Sequence, residues 1–238
     1  MKLDRILRRT PEDHWIPLSD LMTGLMMLFM LVAIVFMLQL KAKEKEVKDI
    51  GKNYLDLKSE LCGDLKSSFK DNNSDWQVDP SCNLSIRFLN PDNQFDLGKS
   101  EVKSSFRASL NVFFPRYIAI LNSEKYRDVV EEVRIEGHTS RLWGNPPIPP
   151  EQSYYKNMAL SQERSRAVLE YVLSIPTVRF AENWNWLVPR LTANGLSGIS
   201  PVRNPNGSEN DVLSQRVEFK IRTKTEARLN EILKALAK

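Results

Sequence analysis

The segment from Ile16 to Leu40 constrains this chain more than any other: about 25 residues in a row carry one ionisable side chain, Asp20. As a helix rising 1.5 Å per residue the segment spans roughly 37 Å, enough to cross a bilayer with some tilt. A secretory signal would be shorter and end in small residues at a cleavage site, whereas this run ends in QLKAKEKE. The segment therefore reads as a retained transmembrane helix, residues 16–40, preceded by a tail of residues 1–15. Flanking charge does not settle its direction, because Lys2, Arg5, Arg8 and Arg9 precede it and Lys41, Lys43, Lys45 and Lys48 follow. A large downstream domain is translocated largely regardless of charge. A cytoplasmic N-terminus with the body on the outer side of the membrane is then the simpler arrangement.

Asp20 admits three readings. Ser19 or Asp20 could cap a helix that starts near Pro17, leaving twenty apolar residues to span the core unaided. The carboxylate could instead lie within the span but reach the headgroups, since it follows the interfacial Trp15 by about one and a half turns. In the third reading it is enclosed by protein beside a narrow water path, where an acid takes up and releases protons. Placing it at mid-membrane costs about 2.5–3.5 kcal/mol on insertion scales, which the apolar neighbours offset at about 0.3–0.6 kcal/mol each. Thr23 lies one turn away on the same side and could bond the carboxylate, line an ion path, or simply pack.

Beyond the span the composition is that of a soluble domain, and the net charge of +4 comes with no basic stripe interleaved with aromatics, so nucleic acid is not an expected partner. Cys62 and Cys82 have no CxxC neighbour, and His14 and His138 are far from them in sequence, which argues against a metal site. In a periplasmic domain a Cys62–Cys82 disulfide is the natural expectation, the alternative being two small apolar side chains. Val47, Ile50, Tyr54, Leu57 and Leu61 recur at spacings of three and four, interrupted by Gly51. Residues 41–82 thus read as a helical linker, either leaning on its own domain or pairing with a second copy, and ended by the turn-rich stretch Asp71–Ser81.

Residues 83–238 alternate strands and helices: NLSIRFLN, a helix through SEVKSSFRASLNVFFPRYIAIL that Pro115 would kink or divide, VRIEGH, a helix around MALSQERSRAVLEYVL, LTANG, RVEFKI, and an amphipathic helix through Leu229, Ile232, Leu233 and Leu236. The expected fold class is α+β, a mixed sheet with helices packed on it.

The order FDLGKSEV, IEGHTS, NMALSQERSRAVLEYV, LTANGLSGISPV and SQRVEFKI resembles the OmpA-like peptidoglycan-binding domain over about residues 83–222. WIPLSDLMTGLMMLFMLV resembles the single span of B-type subunits of ion-driven stators. The combination is the architecture of flagellar MotB and of the ZorB family of the Zorya anti-phage defence system, to which the short N-terminus and GLMMLFML are closer. The resemblance implies that Asp20, with Thr23, carries the translocated ion, H⁺ or Na⁺. It implies further that two copies sit as a homodimer inside a pentameric, polytopic A-type subunit (ZorA/MotA-like), and that the outer domain holds peptidoglycan. In the OmpA-like family an Asp in GHTD and an Arg in NxxLSxxR bind the ammonium and carboxylate of the diaminopimelate in the peptide stem. Arg164 matches that Arg, with Asn157, Leu160 and Ser161 completing the motif. Ser140 stands where the Asp would be, and a hydroxyl cannot balance an ammonium. The long following loop, with Trp143, Tyr154, Tyr155 and the acid Glu151, offers substitute contacts; Gly137, Gly195 and Gly198 read as turn residues. One His at a strand end is too little for a hydrolase, so no enzyme and no cofactor is expected. A passive wall anchor without ion conduction is the alternative of a different class.

Overall fold

The computed structural model describes residues 15–70, 75–180 and 184–227. The tail before Trp15 and the expected helix through Leu229, Ile232, Leu233 and Leu236 lie outside the described residues. Two units are separated after Gly51.

Helix α1 runs from Trp15 to Ser68. Its residues from Leu21 to Leu40 expose their apolar side chains along the whole length, the pattern of a helix that meets lipid or other helices rather than a domain core. It is long and apolar enough to cross a membrane. The helix continues through Gly51, where a glycine costs about 1 kcal/mol relative to Ala.

The second unit begins at Lys52, thirty-odd residues ahead of the boundary expected at residue 83. The reason is burial. Leu61, Cys62, Leu65 and Phe69 belong to the hydrophobic core, and Leu57 packs against it, so this part of the stripe leans on its own domain. Tyr126 donates a hydrogen bond to Asp64 (2.5 Å), and Lys125 pairs with Glu60 and Asp64 (2.8 and 3.1 Å). Cys62 and Cys82 form a disulfide with Cα atoms 5.6 Å apart.

The stretch that ends α1 also contains a strand the sequence hid: β1 (Trp76–Val78). It pairs antiparallel with β2 (Ser85–Phe88). After α2 (Ser104–Leu121), β3 (Val130–His138) and α3 (Pro150–Ser174) come the single turns α4 (Pro176–Arg179) and α5 (Trp184–Leu187), then β4 (Leu191–Gly195), the turn α6 (Asp211–Ser214) and β5 (Arg216–Thr223). Among the described residues the sheet order is β1-β2-β5-β3-β4, antiparallel except for the parallel pair β3 and β4. A parallel pair needs a crossover, and α3 supplies it.

One sheet face carries Ile86, Phe88, Val133, Ile135, Val217, Phe219 and Ile221, all buried. Against it α2 lays Phe106, Leu110, Phe113, Phe114 and Tyr117. Phe113 is the hub, with Phe88, Phe219, Tyr117 and Phe69 rings centred 5.0–5.1 Å away. α2 runs undivided through Pro115. The apolar area buried on both sides of the proline offsets the one backbone bond it forgoes.

Gly137 and Gly195 are not turn residues. They are register partners in β3 and β4, and α3 lies directly on them. A Cβ on Gly137 would collide with the Ser161 carbonyl, and one on Gly195 would sit 2.5 Å from Gln162 N. Only a residue without a side chain admits this approach, whereas Gly198 does lie in the turn after β4.

Two outcomes follow. Gly195→Ala should destabilise the domain by roughly 1–3 kcal/mol in urea unfolding, because α3 must lift off the sheet. Non-reducing peptide mapping should recover Cys62 joined to Cys82, and Cys62→Ser should lower stability by about 3 kcal/mol, the chain-entropy value for a loop of this length.

Candidate functional site

α3 departs from a simple amphipathic helix in its first half. Its buried residues there are Ser153, Asn157, Leu160, Ser161, Arg164 and Ser165, mostly polar, whereas the second half buries Val168 and Val172. Ala167 and Tyr171 are only partly buried. Buried polar side chains need partners, and here they find the ends of strands and loops. Ser161 Oγ accepts from Ser197 N (3.0 Å), and Gln162 Oε1 accepts from Gly195 N (2.7 Å). Asn157 Nδ2 and Ser140 Oγ both donate to the Leu142 carbonyl (3.3 and 3.2 Å), fixing the loop that follows β3.

Ser140, Asn157 and Leu160 line one cavity of about 440 Å³, together with Leu97, Trp143, Asp211 and Gln215. Arg164 lines a smaller one of about 80 Å³ beside Phe95, Val212 and the same Leu97 and Gln215, so the two hollows share a wall. The guanidinium lies over the Phe95 ring at 4.8 Å. Nε donates to the Lys99 carbonyl (2.9 Å) and Nη2 to the Asp96 carbonyl (3.2 Å), leaving Nη1 without a hydrogen bond among the described residues. Burial lowers the Arg164 pKa to about 10, still leaving it charged at neutral pH. Arg164 therefore both braces the loop after β2 and presents charge. Glu151, the acid the sequence suggested, is exposed in the first turn of α3 and is not part of the larger cavity's lining. Asp211 is, and nothing in the sequence singled it out.

The other sheet face is charged. Glu136 stands opposite Glu218, and His138 opposite Arg216. Like charges facing each other destabilise a sheet unless neighbours intervene. Glu218 accepts from Arg216 (2.6 Å) and Arg87 (2.9 Å), and Arg134 comes within 3.9 Å of Glu136. Glu136, His138 and Glu218 bring possible ligand atoms within 4.8 Å of one another, a grouping the sequence reading did not foresee. With two guanidiniums already on Glu218, the arrangement is an ion-pair network, and a cation would have to displace them. Both ring nitrogens of His138 are buried without a hydrogen bond among the described residues.

In the span, α1 is already helical at Trp15, so Ser19 and Asp20 lie inside the helix and not at its cap. Thr23 Oγ1 donates to the Ser19 carbonyl (2.8 Å) rather than to Asp20. Both side chains are exposed on the isolated helix.

No protein-family model matches the chain. The Zorya protein ZorB of Escherichia coli is 36% identical over 223 residues, 93% of either chain. The chain belongs to the ZorB family. Membership spans the apolar helix and the C-terminal domain together, because the alignment covers nearly the whole length of both proteins. Among solved structures, a putative MotB-like protein from Desulfovibrio vulgaris is 20% identical with a TM-score of 0.49, covering 73% of this chain and 95% of that one. The cell wall anchor of the T6SS from Pseudomonas aeruginosa is 22% identical with a TM-score of 0.37, covering 59% and 81%. Of the five stretches that resemble OmpA-like domains, the first precedes α2 and the other four fall on the end of β3, on α3, on β4 with its following turn, and on β5. In this ZorB-family domain the charged sheet face is thus built by two of those motifs, IEGH and RVE.

That face makes stability depend on acid. Desolvation and Arg216 push the His138 pKa down to about 4, with Glu218 opposing. An unfolded His takes its proton near 6.5, so the folded state loses stability as pH falls from about 6.5 to about 4, by up to ~3 kcal/mol. Glu136, which desolvation holds above the usual carboxylate range, gives back part of this in the acid limb. In His138→Gln the difference in unfolding free energy between pH 7 and pH 4 should shrink by a comparable amount.

Proposed function

We propose that this chain is the B-type stator subunit of an ion-driven rotary motor of the inner membrane that acts in anti-phage defence. The observation that carries the reading is the 36% identity to Zorya protein ZorB through the span and the domain alike. Asp20 supports it physically. Inside a helix otherwise apolar from Leu21 to Leu38, a carboxylate facing lipid costs about 2.5–3.5 kcal/mol, and the cost is removed if partner helices enclose it. Such enclosure fits a homodimer inside a polytopic A-type pentamer, with Asp20 as the ion carrier and Thr23 beside it. One charge crossing 100 mV releases about 2.3 kcal/mol, so several ions per cycle suffice to turn one part against another.

The cytoplasmic N-terminus and periplasmic domain of this reading agree with the Cys62–Cys82 disulfide, since such bonds persist in oxidising compartments. The domain braces the motor by holding peptidoglycan at the paired cavities beside Ser140, Asn157, Leu160 and Arg164. A passive wall anchor explains the domain equally well. For such an anchor the helix start at Trp15 removes the account of Asp20 as a helix cap and leaves a carboxylate that reaches the headgroups.

Asp20→Asn keeps shape and most hydrogen bonding but exchanges no proton. The variant should insert, copurify with the A-type subunit and sediment with peptidoglycan, while phage protection vanishes. Full protection by a properly assembled Asp20→Asn complex overturns the motor reading, and loss of swimming instead of defence would mark a flagellar stator.

A further inference from the structure

Lys66, near the end of α1, places its ammonium against the disulfide. Nζ donates to Cys82 Sγ (3.2 Å) and to the Pro80 carbonyl (3.3 Å), and no carboxylate pairs with it among the described residues. A disulfide sulfur is a weak acceptor, so a cation gains little from it. A thiolate at the same place carries a full charge and holds an ammonium far more strongly. The contact therefore stabilises most a state in which the Cys62–Cys82 bond is open.

The two sulfurs are not equivalent. Cys62 is buried in the core beside Leu61 and Leu65, where burial opposes a thiolate, whereas Cys82 is partly exposed in the loop before β2. Cys82 also holds a left-handed backbone (φ 53°), which a residue with a side chain seldom adopts. Exposed or strained disulfides are the ones that exchange. The loop keeps its shape through bonds that do not involve the disulfide. Cys82 N donates to the Asp79 carbonyl (3.0 Å), and the Asp79 carboxylate accepts from Ser81 N (2.7 Å) and Asn83 Nδ2 (3.2 Å). Asp79 is the acid of this loop and opposes a thiolate, but those donors already engage it. Lys58 adds a second ammonium to the same loop through Asn83 Oδ1 (3.4 Å).

We infer that Cys82 is the point at which this chain exchanges disulfides with a dithiol–disulfide oxidoreductase, with Lys66 holding Cys82 as the thiolate and Cys62 as the resolving thiol. When the bond forms, the Cys82 thiolate attacks the partner's disulfide. One partner sulfur leaves as a thiolate, and a mixed disulfide stands at Cys82. Cys62 then passes its proton to that partner thiolate and attacks Cys82 Sγ, and the second partner sulfur leaves. The two cysteines have lost two electrons, and the partner carries them away as a dithiol. Reduction by a dithiol runs the same steps in reverse, entering at the accessible Cys82 and returning the proton to the buried Cys62. The join between α1 and the loop before β2 is thus a site of redox modification.

The test uses the detergent-purified full-length chain, reduced with dithiothreitol, desalted and alkylated with iodoacetamide across a pH series, each cysteine being quantified by peptide mapping. Cys82 should react first, with a pH midpoint about one unit below the ordinary thiol value of about 8.5, and Cys62 roughly 10-fold more slowly. Lys66→Gln should return the Cys82 midpoint to about 8.5. A lowered pKa also lowers nucleophilicity, so its rate at pH 7 should fall only about 3-fold. In urea the two cysteines should react alike, which is the benchmark for an unfolded chain. As a second measurement, oxidised glutathione should form a mixed disulfide readily with Cys82 in Cys62→Ser and poorly with Cys62 in Cys82→Ser. Equal alkylation of the two cysteines without urea overturns the inference. So does a Cys82 midpoint that Lys66→Gln leaves in place, or a Cys82→Ser chain that takes up glutathione as fast as Cys62→Ser does.

Discussion

The domain depends on one close approach, the bed of two glycines on which α3 rests. Gly137 and Gly195 are register partners in the parallel pair of strands, and the backbone of α3 at Ser161 and Gln162 fills the space their side chains would occupy. At that depth helix side chains bond directly to strand ends, as Gln162 does with Gly195 N and with the Ala193 carbonyl (3.2 Å). The geometry fixes the rotation of the helix about its axis. Asn157 then falls one turn before Ser161, Leu160 directly before it and Arg164 about one turn after it, so the same seating that closes the core also aims the candidate site.

Much of this was legible. The alternation of Leu84, Ile86 and Phe88, of VRIEGH and of RVEFKI reports which side of each strand is buried, and all three sequences form strands of the sheet. Three residues of β1 were not legible, because a strand that short in a turn-rich stretch has no periodicity of its own; Trp76 is held by its pairing with Phe88 and by rings from elsewhere in the chain. The two strand glycines looked like turns for a similar reason. What excludes a side chain there is a helix more than twenty residues away in sequence, and local patterns carry no record of it.

The site divides along the same line. Ser140, Asn157, Leu160 and Arg164 were visible because motifs set them at fixed spacings, and the fold brings the first three to one cavity with Arg164 next door. The substitute acid was sought in the adjacent loop, where Glu151 stands, yet the residue in the cavity wall is Asp211, some sixty positions further on. Sequence proximity could not point to Asp211, since the cavity is assembled at the strand ends, where segments remote in the chain converge. Likewise Arg164 could be recognised as a cation but not as the brace of the Asp96 and Lys99 carbonyls, a role that means its removal would disturb the loop as well as the charge.

Under the proposed function, in which the domain grips a fixed wall while the other end of the chain is pulled, the disulfide between Cys62 and Cys82 has a mechanical meaning. A helix that met the domain through packing alone would be peeled from it one side chain at a time under tension. Here the last turns of α1 are fastened covalently to the residues just before β2, with Tyr126 and Lys125 clasping Asp64 two residues from the bond. Tension entering along α1 is therefore divided at Cys62 between the continuing main chain and a shortcut into the sheet. The covalent shortcut relieves the segment between the two cysteines, β1 included, of that part of the load.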